Sequence, residues 1–78
     1  MMAQAPISSA RAVEIARAAL PGKVDLPADA RAEVERRGDR YVVTFPLTLP
    51  PGVRGADYHA RVTIDASSGA VVEILGGP

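Results

Sequence analysis

An α+β fold, one N-terminal helix packed on a four-stranded antiparallel meander sheet, is predicted by three observations on this 78-residue chain. Apolar residues recur at helical spacing between Ile7 and Leu20, and Pro21-Gly22 closes that stretch. Two alternating segments then flank Gly38-Asp39. Finally, "TIDASSGAVVEI", Thr63 to Ile74, reads as strand, tight turn and strand.

The helix is expected from about Ser9 to Leu20, with Ser8 as N-cap and Ile7 placed to pack on the first turn as a hydrophobic staple. At 100° per residue Ala12, Ile15, Ala16 and Ala19 share one face with Leu20 at its margin, while Arg11, Glu14, Arg17 and Ala18 lie opposite. A face made mostly of alanine lets a helix approach closely, which suits a flat sheet better than a second bulky helix.

"KVDLPADA" is a connector punctuated by Pro27. With Gly38 and Asp39 as a two-residue loop, Arg37 faces Arg40, Glu35 faces Val42, Val34 faces Val43 and Ala32 faces Phe45. The second strand is expected to be long, with Tyr41, Val43, Phe45, Leu47 and Leu49 on one side and Val42, Thr44, Pro46 and Thr48 on the other. Pro46 cannot donate to a ladder, so a bulge or an unpaired stretch is expected there.

"PPGVRGAD", Pro50 to Asp57, is the longest irregular segment of the folded part, and loops of this kind often carry function. In the third strand Tyr58, Ala60, Val62 and Ile64 share the inward face, and His59, Arg61, Thr63 and Asp65 the other. Without a bulge in the last hairpin Val62 would face Glu73 and set a carboxylate over the core, at a cost of several kcal/mol. One extra residue at Gly69, taking positive φ, pairs Ile64 with Val72 and Val62 with Ile74.

The length suits one small domain, expected over residues 7–75 behind a flexible tail at 1–6, and such a domain buries only about 60 to 65% of its unfolded surface. Nine basic residues balance nine acidic ones, which leaves no overall field to attract nucleic acid or an anionic membrane. With no cysteine, a disulfide framework and thiol chemistry are excluded, while the compartment stays open. No apolar run approaches the roughly 18 residues of a transmembrane helix, so membrane insertion is not expected. Ala3 and Ala5 in "MMAQAP" suit either the stub left by a removed export signal or a frayed terminus.

The Ile-Ser helix start with "ARAVEIARAAL", the strand "RYVVTFPL" and the hairpin "VTIDASSGAVVEI" together resemble the PepSY domain, found in propeptides of thermolysin-like metallopeptidases and in bacterial envelope proteins. The resemblance spans about Ile7 to Leu75, and its most specific element is the strand, Asp65, small polar turn, Gly69 and apolar strand of the last hairpin. It implies a helix on an antiparallel sheet, a secreted, periplasmic or cell-envelope location, and a protein partner, a peptidase among the candidates, that is inhibited or chaperoned. No protease follows in this chain, so a role as a propeptide in cis does not carry over.

Residue by residue, the candidates for chemistry have structural readings. His59 has Asp57 two positions earlier, but a metal site needs three or four ligands. Ser8, Ser9, Ser67 and Ser68 stand where caps and turns need hydroxyls, with no base placed beside them. Asp65 opens a turn, where a carboxylate bonds downstream amides. Glu33 and Glu35 alternate outward as on any solvated strand, Arg37-Gly38-Asp39 is an adhesion tripeptide in spelling only, and the scattered glycines lack the context of a phosphate loop. No catalytic residue, metal ligand or cofactor is therefore expected.

What remains is a surface. The side of the sheet away from the helix is expected to show Glu33, Glu35, Val42, Thr44, Arg61, Thr63, Val71 and Glu73. Its partner-binding part is expected at Thr44, Arg61, Thr63 and Glu73, together with the loop from Pro50 to Asp57 and, within it, Val53 and Arg54. The expected function is a non-catalytic module binding or modulating a protease or another envelope partner. The alternative is a structural module that associates with itself as a homodimer.

Overall fold

The computed structural model describes residues 6–27, 29–55 and 57–76; most of the expected N-terminal tail, residues 1–5, lies outside them. Its elements are helix α1 (Ser9–Ala19) and strands β1 (Glu33–Arg37), β2 (Arg40–Pro46), β3 (Tyr58–Asp65) and β4 (Val71–Gly76). The strands form one antiparallel sheet in the order β1-β2-β3-β4, the expected α+β meander.

Helix α1 begins as its sequence dictates: the Ser8 hydroxyl accepts a hydrogen bond from the Arg11 amide at 3.0 Å, satisfying one of the first-turn donors. Leu20 is the C-cap, and its carbonyl accepts from the amides of Lys23 and Val24. Ala12 and Ala16 are fully buried. Leu20, expected at the margin of the face, is 1% exposed and one of the largest buried side chains, whereas Ala19 is only half-buried. The row Ala12, Ala16, Leu20 advances by four residues at each step, and such a row is inclined to the helix axis. A helix crossing the sheet along this row buries Leu20 and lifts Ala19 away, a tilt that a helical wheel does not contain.

Beneath the helix lie Val43 and Phe45 of β2 and Ala60, Val62 and Ile64 of β3, all at zero exposure. Replacing Ala16 by leucine should cost about 1 to 3 kcal/mol through overpacking. An unchanged urea midpoint would show that the helix does not lie tightly on the sheet at this position.

The entry to the helix is tied to both hairpins. The Ile7 amide donates to the Ala66 carbonyl at 2.7 Å, the Tyr41 hydroxyl donates to the Ile7 carbonyl at 2.9 Å, and the Ala66 amide donates to the Asp39 carbonyl at 2.8 Å. Tyr41 thus buries its ring while its hydroxyl keeps a partner. At the other end of α1, the Arg17 guanidinium lies 5.2 Å from the centre of the Phe45 ring and donates to the Ala30 carbonyl at 2.7 Å. Arg17, expected to point away from the core, instead covers its end with an aliphatic stem and a charge over an aromatic face.

The first hairpin has the expected register: Arg37 pairs with Arg40, Glu35 with Val42 and Val34 with Val43. The ladder ends at Glu33 and Thr44, so the expected pair of Ala32 and Phe45 falls beyond it. Strand β2 stops at Pro46 rather than running on to Leu49, and the β2–β3 register shifts between Phe45 and Pro46. Beyond the proline, the Leu47 amide donates to the Asp57 carbonyl at 2.8 Å, which closes the mouth of the long loop.

In the last hairpin Val62 pairs with Ile74 and Thr63 with Glu73, as expected, but Ile64 pairs with Val71 and not with Val72. The extra residue is therefore taken up at Val71-Val72, where the register shifts, and not at Gly69. Gly69 does have positive φ, +79°, but spends it on the turn: its amide donates to the Asp65 carbonyl at 2.8 Å, and the Asp65 amide donates to the Ala70 carbonyl at 2.8 Å. Either placement keeps Glu73 off the core. The observed one sets Val71 opposite inward-facing Ile64, yet beside the bulge Val71 stays 40% exposed.

Candidate binding face

The side of the sheet away from α1 is open, and period-2 alternation places its side chains. Thr44 stands directly across from Arg61, Val42 across from Thr63, and Thr63 across from Glu73. The four expected sheet residues Thr44, Arg61, Thr63 and Glu73 thus come together, and with Val42 and Leu75 they border one shallow depression. A second depression beside it shares Thr44, Val42 and Arg61 and continues to Glu33, Pro46 and Asp57. Val53 and Arg54 are exposed in the loop but border neither depression; of the expected loop, Asp57 borders one.

Arg61 organises the face. Its Nε donates to the Thr44 hydroxyl at 3.3 Å, and its guanidinium carbon lies 4.7 Å from the centre of the Tyr58 ring. Tyr58 was expected on the inward face, because strict alternation sets it on the same side as Ala60 and Val62. The register shift at Pro46, which faces Tyr58, breaks that alternation at the start of β3 and leaves the half-buried ring within reach of Arg61. A guanidinium held by stacking on one side and a hydroxyl on the other is pre-oriented, with donors left over for a further acceptor.

At the rim, Arg37 and Glu35 form an exposed ion pair at 3.0 Å, and Glu35 holds the guanidinium even more firmly protonated than usual. Such an exposed pair contributes little to stability and leaves both side chains free to rearrange.

The other residues weighed for chemistry sit in structural contacts. Asp65 Oδ1 accepts from the amides of Ser67 at 2.8 Å and Ser68 at 3.0 Å, and these bonds, with that of Ser68 the stronger influence, lower its carboxyl pKa from the ordinary value. The Ser68 hydroxyl accepts from the Ala70 amide at 3.1 Å. His59 is half-buried, and among the described residues no three His, Cys, Asp or Glu side chains converge as a metal site would need. No helix among the described residues is long and apolar enough to cross a membrane.

Sequence reasoning missed Leu75 and the Arg61–Tyr58 stack. Leu75 was legible, since it follows Glu73 by two residues on β4, whereas the stack depends on a bulge whose effect on side-chain direction the sequence does not encode. No family model, no curated protein and no solved structure matches the chain.

Proposed function

We propose that this chain is a non-catalytic PepSY-like module that binds a protein partner through the open sheet face, and that the partner is a peptidase or another protein of the cell envelope. The observation that carries this reading is the pre-oriented Arg61, fixed between Thr44 and Tyr58 at the centre of a face of mixed apolar and polar character. Arginine and tyrosine dominate the energetics of many interfaces, and a side chain ordered before binding loses less entropy when it binds. The fold requires neither the stack nor the outward threonines for its core, which lies entirely on the other side of the sheet. The envelope location and the peptidase rest on the resemblance of Ile7 to Leu75 to PepSY domains.

The test is inhibition of a thermolysin-like metallopeptidase acting on a small peptide substrate, with the chain and its Arg61→Glu variant titrated in turn. The wild-type chain should slow hydrolysis, and the variant should need at least about fivefold more protein for the same effect. Its fold should survive, because the stack and one bond at a partly exposed site contribute only about 0.5 to 1 kcal/mol. Equal losses of inhibition and of stability would assign Arg61 to folding. Hydrolase activity in the purified chain, abolished by Asp65→Ala or His59→Ala, would overturn the non-catalytic reading.

A further inference from the structure

The two edges of the sheet differ in kind. Strand β1 is Glu-Val-Glu-Arg-Arg, four charges in five residues, a composition that discourages pairing with another strand. Strand β4 is Val-Val-Glu-Ile-Leu-Gly, with a single charge, and it exposes Val71 at 40%, Val72 at 45% and Leu75 at 40%. In both hairpin and meander the backbone groups of an edge strand alternate between bonding inward and pointing away. The Asp65 amide bonds to Ala70 on the β4 side, and the Ala66 amide bonds to Asp39 on the β2 side. By alternation Thr63 and Arg61 also bond toward β4, so their partners Glu73 and Leu75 are satisfied within the sheet. Ile74 and Gly76, opposite Val62 and Ala60, direct their amides and carbonyls to the outer edge, where no other strand among the described residues pairs with them.

We propose that a second copy of this chain pairs with that edge, β4 antiparallel to β4, about a two-fold axis at Ile74, to make one continuous sheet of two protomers. This inference rests on the β4 edge and is independent of the open face. In an antiparallel pair directly opposed residues share a face, and a two-fold on this strand can therefore sit at Glu73 or at Ile74. An axis at Glu73 sets the two Glu73 carboxylates against each other, which is destabilising. An axis at Ile74 opposes the two Ile74 residues, whose free backbone groups then bond one another, and sets each Glu73 against the partner's Leu75. Two copies also meet without long-range repulsion, since nine basic residues balance nine acidic ones. A contact of one short strand from each copy falls at the low end of interface areas, so association should be visible near about 1 mM protein and slight at micromolar concentrations.

The test is sedimentation equilibrium over a concentration series, combined with amide exchange read residue by residue. Mass should rise toward that of two chains, and the amides of Ile74 and Gly76 should exchange more slowly as concentration rises, while those of Glu73 and Leu75 stay unchanged. Leu75→Glu, which opposes two carboxylates across the junction, should weaken association at least about tenfold. Adding Glu73→Lys to that variant should restore it, because each lysine then faces the partner's glutamate. A chain that stays monomeric to about 1 mM overturns the proposal. So does a dimer that Leu75→Glu leaves intact, or one that the double variant fails to restore although circular dichroism shows it folded.

Discussion

Gly69→Val is expected to lower the free energy of unfolding by about 2 to 4 kcal/mol, the sum of a backbone and a steric cost. Gly69 has φ of +79°, where a β-branched side chain is strongly disfavoured, and the turn cannot relax it without losing the bond from the Gly69 amide to Asp65. A Cβ placed there would also lie 3.2 Å from Ile15 Cδ1 and 3.8 Å from Ile7 Cγ2, so the turn is roofed by Ile15 of α1 and by Ile7 just before the helix. Urea denaturation measures the sum, and a small cycle divides it. Gly69→Ala should lose less stability in an Ile15→Val background, which removes the Cδ1 methyl, than in the wild-type chain. Equal losses in both backgrounds would leave backbone strain as the whole cause. No loss for Gly69→Val would show that the last hairpin does not need its left-handed residue.

The same position shows how far this fold was legible in the sequence. That one residue too many separates Ile64 from Ile74 follows from parity alone, since Glu73 must not face the core. Where the excess sits does not follow, because a bulge at Gly69 and one at Val71-Val72 give the same pairing of Val62 with Ile74. Only the backbone decides between them: Gly69 closes the turn onto Asp65, and the excess passes to the next position that can widen. Leu20 repeats the lesson, since periodicity assigns a direction around the helix axis but no tilt across the sheet. The bonds joining Ile7, Tyr41 and Ala66, and the seat of Arg17 on Phe45, link segments far apart in the chain and leave no local pattern to read.

The candidate face was legible for a simpler reason. Thr44, Arg61, Thr63 and Glu73 each fall on the outward side because alternation fixes the side within a strand, and the Asp65 to Gly69 turn sets Thr63 against Glu73, whereas the register of β2 on β3 that brings Thr44 to Arg61 is set across the long loop and has no local pattern. Val53 and Arg54 lie in a long loop, and length says nothing about where a loop folds; Asp57, held near β2 by its carbonyl, is the loop residue that reaches the face. Tyr58 escaped because the register shift at Pro46, its partner on the neighbouring strand, alters its direction. The residue that makes Arg61 distinctive is thus set by a local irregularity rather than by the pattern that placed Arg61 itself.

Phe45→Ala should have the largest effect of any single substitution in the core, a loss of about 3 to 5 kcal/mol. Phe45 is the chain's one phenylalanine, is fully buried, and lies among Leu20, Val43, Val62 and Ile64, the other large side chains with almost no exposure. Its partner across the sheet, Ala60, is too small to collapse into the space it leaves, so the cavity persists and its cost is added to the lost transfer energy. A domain of this length holds only about 4 to 12 kcal/mol in total, and the variant should therefore melt near ambient temperature or not fold cooperatively. Arg17 adds a second readout. Its guanidinium over the ring contributes about 0.5 to 1 kcal/mol, so Arg17→Met should cost that much in the wild-type chain. In a Phe45→Leu background, which keeps most of the volume but removes the π face, Arg17→Met should cost measurably less. Equal costs in the two backgrounds would assign the value of Arg17 to its bond with the Ala30 carbonyl. A Phe45→Ala chain that unfolds within about 1 kcal/mol of wild type would place the centre of the core elsewhere than beneath Leu20 and the alanine row of α1.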